Sequence, residues 1–196
     1  MSLELDHVLI AVADLDAAGR DLEERHGVTS VEGGRHPGWG TANRIVPLGE
    51  TYLELVAVVD PAEAAESRFG SWVAASAPGP FAWAVRTDDL DGVADRLGLV
   101  VADGSRAGHD GQVIRWRIAG VEEAAAEPLL PFFIEWAPST RLPGRLTATR
   151  RLEELRLTGD VERLDDWLGG VRLPVSVAPG APSVAAVALS GSVVLA

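Results

Sequence analysis

The sequence predicts an α+β fold of repeated βαβββ modules, two of them paired into a cupped mixed sheet and a third, shorter one following. Three observations carry this. An apolar alternating strand, an Asp, a short helix and a closing Gly recur three times, at residues 5–27, 81–98 and 152–169. Each helix is followed by strand-like runs bounded by turn residues. The 47% hydrophobic content over 196 residues is enough to bury a core.

The helices justify themselves first. Leu15, Ala18 and Leu22, then Leu90, Val93 and Leu97, then Val161, Leu164 and Leu168 repeat a spacing of three and four, one face of a helix. Asp14, Asp88 or Asp89, and Asp160 stand where a carboxylate caps free backbone N–H groups. Gly27, Gly98 and Gly169 are left-handed stops. Strands follow as VTSVEG, TANRIVPL and TYLELVAVV in the first module and as LVVAD, QVIRWRIAG and PFFIEWA in the second. The third has VRLPVSV, SVAAVAL and SVVLA. The resulting division is a two-module domain over 1–140, with modules at 1–60 and 80–138, a helical insert at 61–79, and the third module at 150–196.

Composition narrows the chemistry. There is no cysteine, which removes disulfides, thiolate metal sites and a thiol nucleophile. All 17 basic residues are arginine, so Schiff-base lysines and phosphate-binding loops with lysine are absent. A net charge of −12 repels nucleic-acid phosphates. No segment is apolar and long enough to span a bilayer, and the N-terminus lacks the basic start of a signal peptide. The expectation is a cytoplasmic protein with a small-molecule ligand, no nucleic-acid partner and no membrane association. The edge left by an unpaired third module favours a homodimer.

Strand alternation assigns faces. Val8, Ile10, Leu53 and Leu55 should pack under helices, leaving His7, Tyr52 and Glu54 on the concave face, with Asn43 beside them. In the second module Ile114, Trp116, Ile118, Ile134 and Trp136 read as core. Arg115, Arg117, Phe133 and Glu135 then face the cup. A histidine with two carboxylates can bind a divalent ion, and neighbouring arginines can hold an anionic group. Trp39 and Thr41 precede Asn43 in a turn that can line the same pocket. For each residue a plain alternative stands: Glu54 and Glu135 as carboxylates paired with arginine, His7 as a hydrogen-bonded strand histidine.

HVLIAVADLDAAG, YLELVAV and FIEW together resemble the vicinal-oxygen-chelate superfamily, and residues 36–58 resemble its glyoxalase-like domain subfamily in particular. The resemblance implies a divalent ion (Zn, Mn, Mg, Ni or Fe) held by His7, Glu54 and Glu135, with Asn43, Arg115, Arg117, Trp39 and Thr41 toward the substrate. A fourth ligand should stand eight residues before Leu90, but that residue is Ala82. His36 or His109 could swing in from loops to supply the missing ligand. The implied activity is metal-assisted lyase or isomerase chemistry on a small oxygenated metabolite, with Glu54 or Glu135 shuttling the proton; ring-cleaving dioxygenases share the superfamily. The second reading is a metal-free binding protein of the bleomycin-resistance type.

Overall fold

A computed structural model describes residues 2–107, 113–138, 140 and 142–196; His109 and the first residue of QVIRWRIAG lie outside them. The first module runs β1 (Leu3–Ala11), α1 (Leu15–His26), β2 (Val31–His36), β3 (Thr41–Pro47) and β4 (Tyr52–Val58). Two helices make the insert, α2 (Pro61–Ala65) and α3 (Arg68–Ala75). The second module runs β5 (Gly79–Thr87), α4 (Leu90–Leu97), β6 (Val101–Ala107), β7 (Val113–Ala119), α5 (Val121–Ala126) and β8 (Phe132–Trp136). The caps are those the sequence predicts: Asp14, Asp89 and Asp160 accept N–H bonds at helix starts, and Gly27, Gly98 and Gly169 end helices in the left-handed conformation.

Eight strands form one curved sheet in the order β2-β3-β4-β1-β5-β8-β7-β6. It curls until its edges meet, where Arg106 of β6 donates to the Gly33 carbonyl of β2. The modules join through antiparallel β1 and β5. That seam carries two bulges: Asp6 is the extra residue on β1, and Phe81 is the extra residue on β5. A bulge leaves one residue unpaired and re-aims its side chain. Asp6 therefore reaches His7, its chain neighbour, although successive strand residues normally point to opposite faces.

Two apolar layers flank the sheet. The outer layer holds Val8, Ile10, Leu53, Leu55, Trp83, Val85 and Phe133 with the helices. The inner layer, toward the cup, holds Leu9, Val56, Ala82, Ala84, Trp116, Ile118, Phe132 and Ile134 with Phe69 and Val73 of α3. The first-module faces are those read from the sequence. The second-module faces of β7 and β8 are reversed: Trp116, Ile118, Ile134 and Trp136 turn inward, and Phe133 turns outward. The reason is that this half of the cup is itself apolar and aromatic. Alternation separates an apolar face from a polar one but does not say which of them lines the cup: on β7 Arg115 and Arg117 take the outward, solvent-reached face and Trp116 and Ile118 the inner one.

The third segment comprises β9 (Leu152–Thr158), α6 (Val161–Leu168), β10 (Val175–Ala178), β11 (Ser183–Leu189) and β12 (Val193–Leu195). Its element order repeats that of the modules, but its pairing does not. β9 lies between parallel β10 and antiparallel β11, in the sheet order β10-β9-β11-β12. The short link after Gly169 closes a β9-α6-β10 crossover, which sets strands side by side in parallel. This sheet covers the outer layer, and Leu155, Leu157, Leu164, Trp167, Leu168 and Val187 join the same core as Trp83 and Phe133. Residues 152–195 thus complete the core beneath the modules. Leu157→Ala should cost about 2–5 kcal/mol, as buried leucines do. Urea unfolding should show one transition at lower midpoint; a separate early transition with an unshifted main one would contradict the shared core.

Candidate functional site

The cup floor gathers His7, His36, Asn43, Tyr52 and Glu54 from the first module, with Arg106 at the closing edge. Facing them are Trp116, Ile118, Phe132, Ile134 and Trp136, with Trp39 and Phe69 at the side. The cavity among them is about 30 Å³, room for one or two oxygen-sized atoms. Its His7, His36, Asn43 and Glu54 are all nearly inaccessible, which makes their hydrogen bonding obligatory.

These bonds form one network. Asp6 Oδ2 lies 2.8 Å from His7 Nδ1, and Glu54 Oε2 lies 3.3 Å from His7 Nε2. Asp6 is held in turn by Trp136 Nε1 at 3.1 Å, with Arg86 Nη1 at 3.7 Å. Tyr52 stacks on the His7 ring at 4.5 Å between centroids. Asn43 Nδ2 donates to Glu54 Oε1 at 2.7 Å and lies 3.2 Å from His36 Nε2. His36 Nε2 therefore accepts, and its Nδ1 proton goes to Thr41 Oγ1 at 2.8 Å. Asn43 Oδ1 is buried without a hydrogen-bond partner. It faces the Cα of Gly33, where a Cβ would fall 2.0 Å away. Only glycine admits the carboxamide there, and the contact left to Oδ1 is a weak Cα–H one.

Charge follows from the network. Burial alone would lower the His7 pKa, but the Asp6 and Glu54 hydrogen bonds and charges overcome it and raise it to about 9. Burial alone would raise that of Glu54, yet His7, His36 and Asn43 bring it down to about 2. His36 is lowered, first by burial and then by Arg106 and His7, against the pull of Glu54. His7 and Glu54 are thus a fixed ion pair, and His36 a neutral imidazole.

The expected residues divide. His7, Asn43, Glu54 and Trp39 line the cavity. Thr41 is buried behind His36 as its hydrogen-bond partner. Glu135 and Arg117 do not join them. Both lie on the outer face, where Arg117 bonds Glu135 at 2.5 Å and Asp91 of α4 at 2.9 Å, and Arg115 is exposed on that face. Glu135 neighbours outward-facing Phe133 in alternation, so the reversed face removes it from the cup. The expected metal set of His7, Glu54 and Glu135 is therefore corrected, since its third member is across the sheet. Ala82 offers no donor, and the facing His7 and Glu54 atoms already hold each other. Among the described residues no group of three or more His, Asp or Glu is arranged to hold a metal ion. The residues present do not fit the divalent ion that the resemblance implies.

Sequence reasoning missed Asp6 and Arg106, and reached His36 only as a histidine that could swing in from a loop. His36 ends β2 and is no loop residue. The insert holds it there: Glu63 of α2 accepts from the Gly38 and Gly40 N–H groups, fixing the turn from His36 to Thr41. The HPGWGT run reads as a turn, but not as one pinned over a cavity. The signal for Asp6 is a bulge, which alternation cannot show.

A nearly closed cup made of two βαβββ modules, with a buried His and Glu on its floor, defines a vicinal-oxygen-chelate architecture. The chain belongs to the glyoxalase-like domain family, whose model matches residues 5–169. A hypothetical protein from Staphylococcus aureus has a similar structure over 96% of this chain and 91% of its own, with 17% identity and a TM-score of 0.74. Methylmalonyl-CoA epimerase from Mycobacterium tuberculosis is 25% identical, covering 70% of this chain and 89% of its own at a TM-score of 0.50. The Streptomyces coelicolor epimerase in complex with 2-nitronate-propionyl-CoA is 21% identical over 71% of this chain and 100% of its own, with a TM-score of 0.52. Curated proteins give no sequence match. Among the described residues no helix is long and apolar enough to cross a membrane.

The ion pair has a pH signature. The folded His7 pKa of about 9 lies above its ordinary 6.5, so its stabilisation is complete below pH 6.5 and drains away as pH rises through 9. Glu54, at about 2 against 4.5, contributes fully above pH 4.5 and loses that contribution as pH falls through 2. The Tm advantage of wild type over His7→Gln should shrink across the alkaline window. An advantage that stays constant from neutral pH to beyond 9 would refute the ion pair.

Proposed function

We propose that the protein is a glyoxalase-like isomerase or lyase that moves a proton on a small oxygenated metabolite bound in the cup. The observation that carries this is the buried Asp6–His7–Glu54–Asn43–His36 network on the floor of an otherwise aromatic cavity. Buried charge is costly and accumulates where it is used. CoA esters are the ligands named for the epimerase structures. Here a floor cavity of about 30 Å³ and a net charge of −12 favour a smaller, less anionic ligand.

Each residue has a task in this reading. The ligand's oxygens take the His7 Nε2–H and Asn43 Nδ2–H donors in the floor cavity, and because about 30 Å³ holds little more than those oxygens, Phe132, Trp116 and Trp39 must shift to admit its carbon body. Glu54 is the carboxylate among the cavity-lining residues. Its low pKa reflects donors that a bound ligand would draw away, which raises its basicity when a proton has to be taken. The carboxylate then removes a proton from the carbon beside a carbonyl. The electron pair moves to the carbonyl oxygen, giving an enediolate held by His7 and Asn43; the neighbouring hydroxyl proton passes to that oxygen, the hydroxyl oxygen becomes the new carbonyl, and the carbon-bound proton returns from Glu54 to the former carbonyl carbon. Glu135, on the outer face, takes no part.

Sequestration is the second reading, favoured by the apolar second half of the cup. The two separate experimentally. Trp39, Trp116 and Trp136 surround the cavity, so α-hydroxyketones and α-ketoaldehydes that bind should change the intrinsic fluorescence. Turnover should exchange the proton beside the carbonyl for solvent deuterium, read by NMR. Glu54→Gln should keep binding and lose about 10²–10⁴ in exchange rate, the usual worth of a positioned base. Gly33→Ala should weaken binding by displacing Asn43. Binding without exchange in wild type would replace catalysis by sequestration, and absence of binding would sink both readings.

A further inference from the structure

The two halves of the cup are related by register, and the relation reaches the site. Val8 pairs with Trp83 at the centre of the β1–β5 seam, with Leu9 opposite Ala82 and His7 opposite Ala84. The seam is two-fold, so Asp6 and His7 of β1 correspond to Phe81 and Ala82 of β5, each pair at its own strand's bulge. Leu9 faces Glu54 across β1 and β4. Ala84, the counterpart of Leu9, faces Phe132 across β5 and β8. The counterpart of Glu54 is therefore Phe132, and Glu135 lies three residues further along the strand.

Asp6, His7 and Glu54 in one half thus stand against Phe81, Ala82 and Phe132 in the other. Donors that would close a site shared between halves are replaced together by apolar groups. The Phe132 ring meets His7 edge-on at 5.7 Å between centroids. On the polar side both nitrogens of His7 face carboxylate oxygens, 2.8 Å from Asp6 and 3.3 Å from Glu54. Between two carboxylates the favoured ring carries a hydrogen on each nitrogen and is a cation, because a neutral ring would set the Nε2 lone pair against the Glu54 oxygen. A metal ligand needs the opposite, a neutral ring with a lone pair on Nε2.

We infer that the electrophile of this cup is the His7 imidazolium itself, held by Asp6 and Glu54, and that it takes the ligand oxygen in place of a divalent ion. The inference rests on the reading that ligand oxygens come to the polar floor, and deepens it. Asp6 is the positioning residue: its carboxylate fixes the ring through Nδ1 and sets Nε2 beside Glu54 Oε2 on the cavity floor, where a ligand oxygen would compete with that carboxylate. Trp136, from the other half, holds Asp6 in place. The second module has become an apolar wall that also anchors the first module's charge.

Chelator-treated full-length protein titrated with Co²⁺ should show no one-to-one uptake with visible d–d absorption. His7→Ala, or His7→Gln should the first fail to fold, should leave any residual Co²⁺ affinity unchanged. A true ligand's loss would cost at least the roughly 10–100-fold that losing a ligand's hydrogen-bond partner costs. A long-range ¹H–¹⁵N spectrum of wild type at neutral pH should show both His7 nitrogens protonated. Stoichiometric Co²⁺ whose absorption vanishes in the His7 variant, or a neutral His7 ring, overturns the inference. Failure of the hydroxyketone binding experiment, with His7 protonated and Co²⁺ excluded, would overturn the functional reading and leave the charge assignment standing.

Discussion

The His7–Glu54 ion pair is the interaction on which the interior of the cup depends. Two charges removed from water are stable only when every remaining donor and acceptor is engaged. Here Asp6, Asn43, His36, Thr41 and Trp136 supply those engagements. Much of the local backbone can be understood as serving them. The β1 bulge turns Asp6 beside His7, and Gly33 opens room for the Asn43 carboxamide. Glu63 of the insert pins the turn that brings His36 and Thr41 together. Breaking one partner leaves a buried charge uncompensated, which is more costly than the pair's net worth suggests.

The same constraint explains why the cup is asymmetric. A polar network of this size has to be nearly complete, because a half-satisfied one is worse than an apolar core, and here Asn43 Oδ1 is the network atom left with only a Cα–H contact. The second module takes the other course, filling the matching positions with Phe81, Ala82 and Phe132 and the rest of its inner face with Trp116, Ile118 and Ile134. Its charged pairs are moved outward to Arg117, Glu135 and Asp91, where solvent screens them and each contributes little. One half supplies charge and orientation, and the other supplies apolar contact and exclusion of water.

This division also decides what could be read from the sequence. The helices were legible from their apolar spacing, Asp caps and Gly stops, and the faces of β1 and β4 because His7 and Glu54 stand out among the apolar residues of two almost wholly buried strands. His7, Asn43 and Glu54 followed from that reading. In β7 the exposed Arg115 and half-buried Arg117 alternate cleanly with Ile114, Trp116 and Ile118, but alternation does not say which face lines the cup, and assigning the polar face to it carried Glu135 to the wrong side with Arg117. The likeness of FIEW to YLEL aligned Glu135 with Glu54 when the strand pairing aligns Phe132 with it. Asp6 was hidden by the bulge and His36 by a turn whose anchor, Glu63, is remote in sequence. In the third segment the element order was visible, while the pairing of β9 with β10 depends on a crossover length that hydrophobic periodicity does not encode.

The outer sheet adds a last step. Its core residues meet Trp83 and Val85 of β5 and Leu5 and Val8 of β1, the strands that carry the two bulges. A bulged antiparallel pair has fewer ladder bonds and a sharper local twist than a regular one. Among the described residues it is also the strand pairing that joins the two modules at the centre of the sheet, since β4 and β8 each pair within their own module. Packing Leu155, Leu157 and Val187 beneath this seam resists the sliding that would otherwise separate Asp6 from Trp136 and His7 from Phe132. The third segment, which contributes no side chain to the cavity lining, is in this way coupled to the geometry of the site: the ion pair needs the bulge, and the bulged seam is supported from the opposite face.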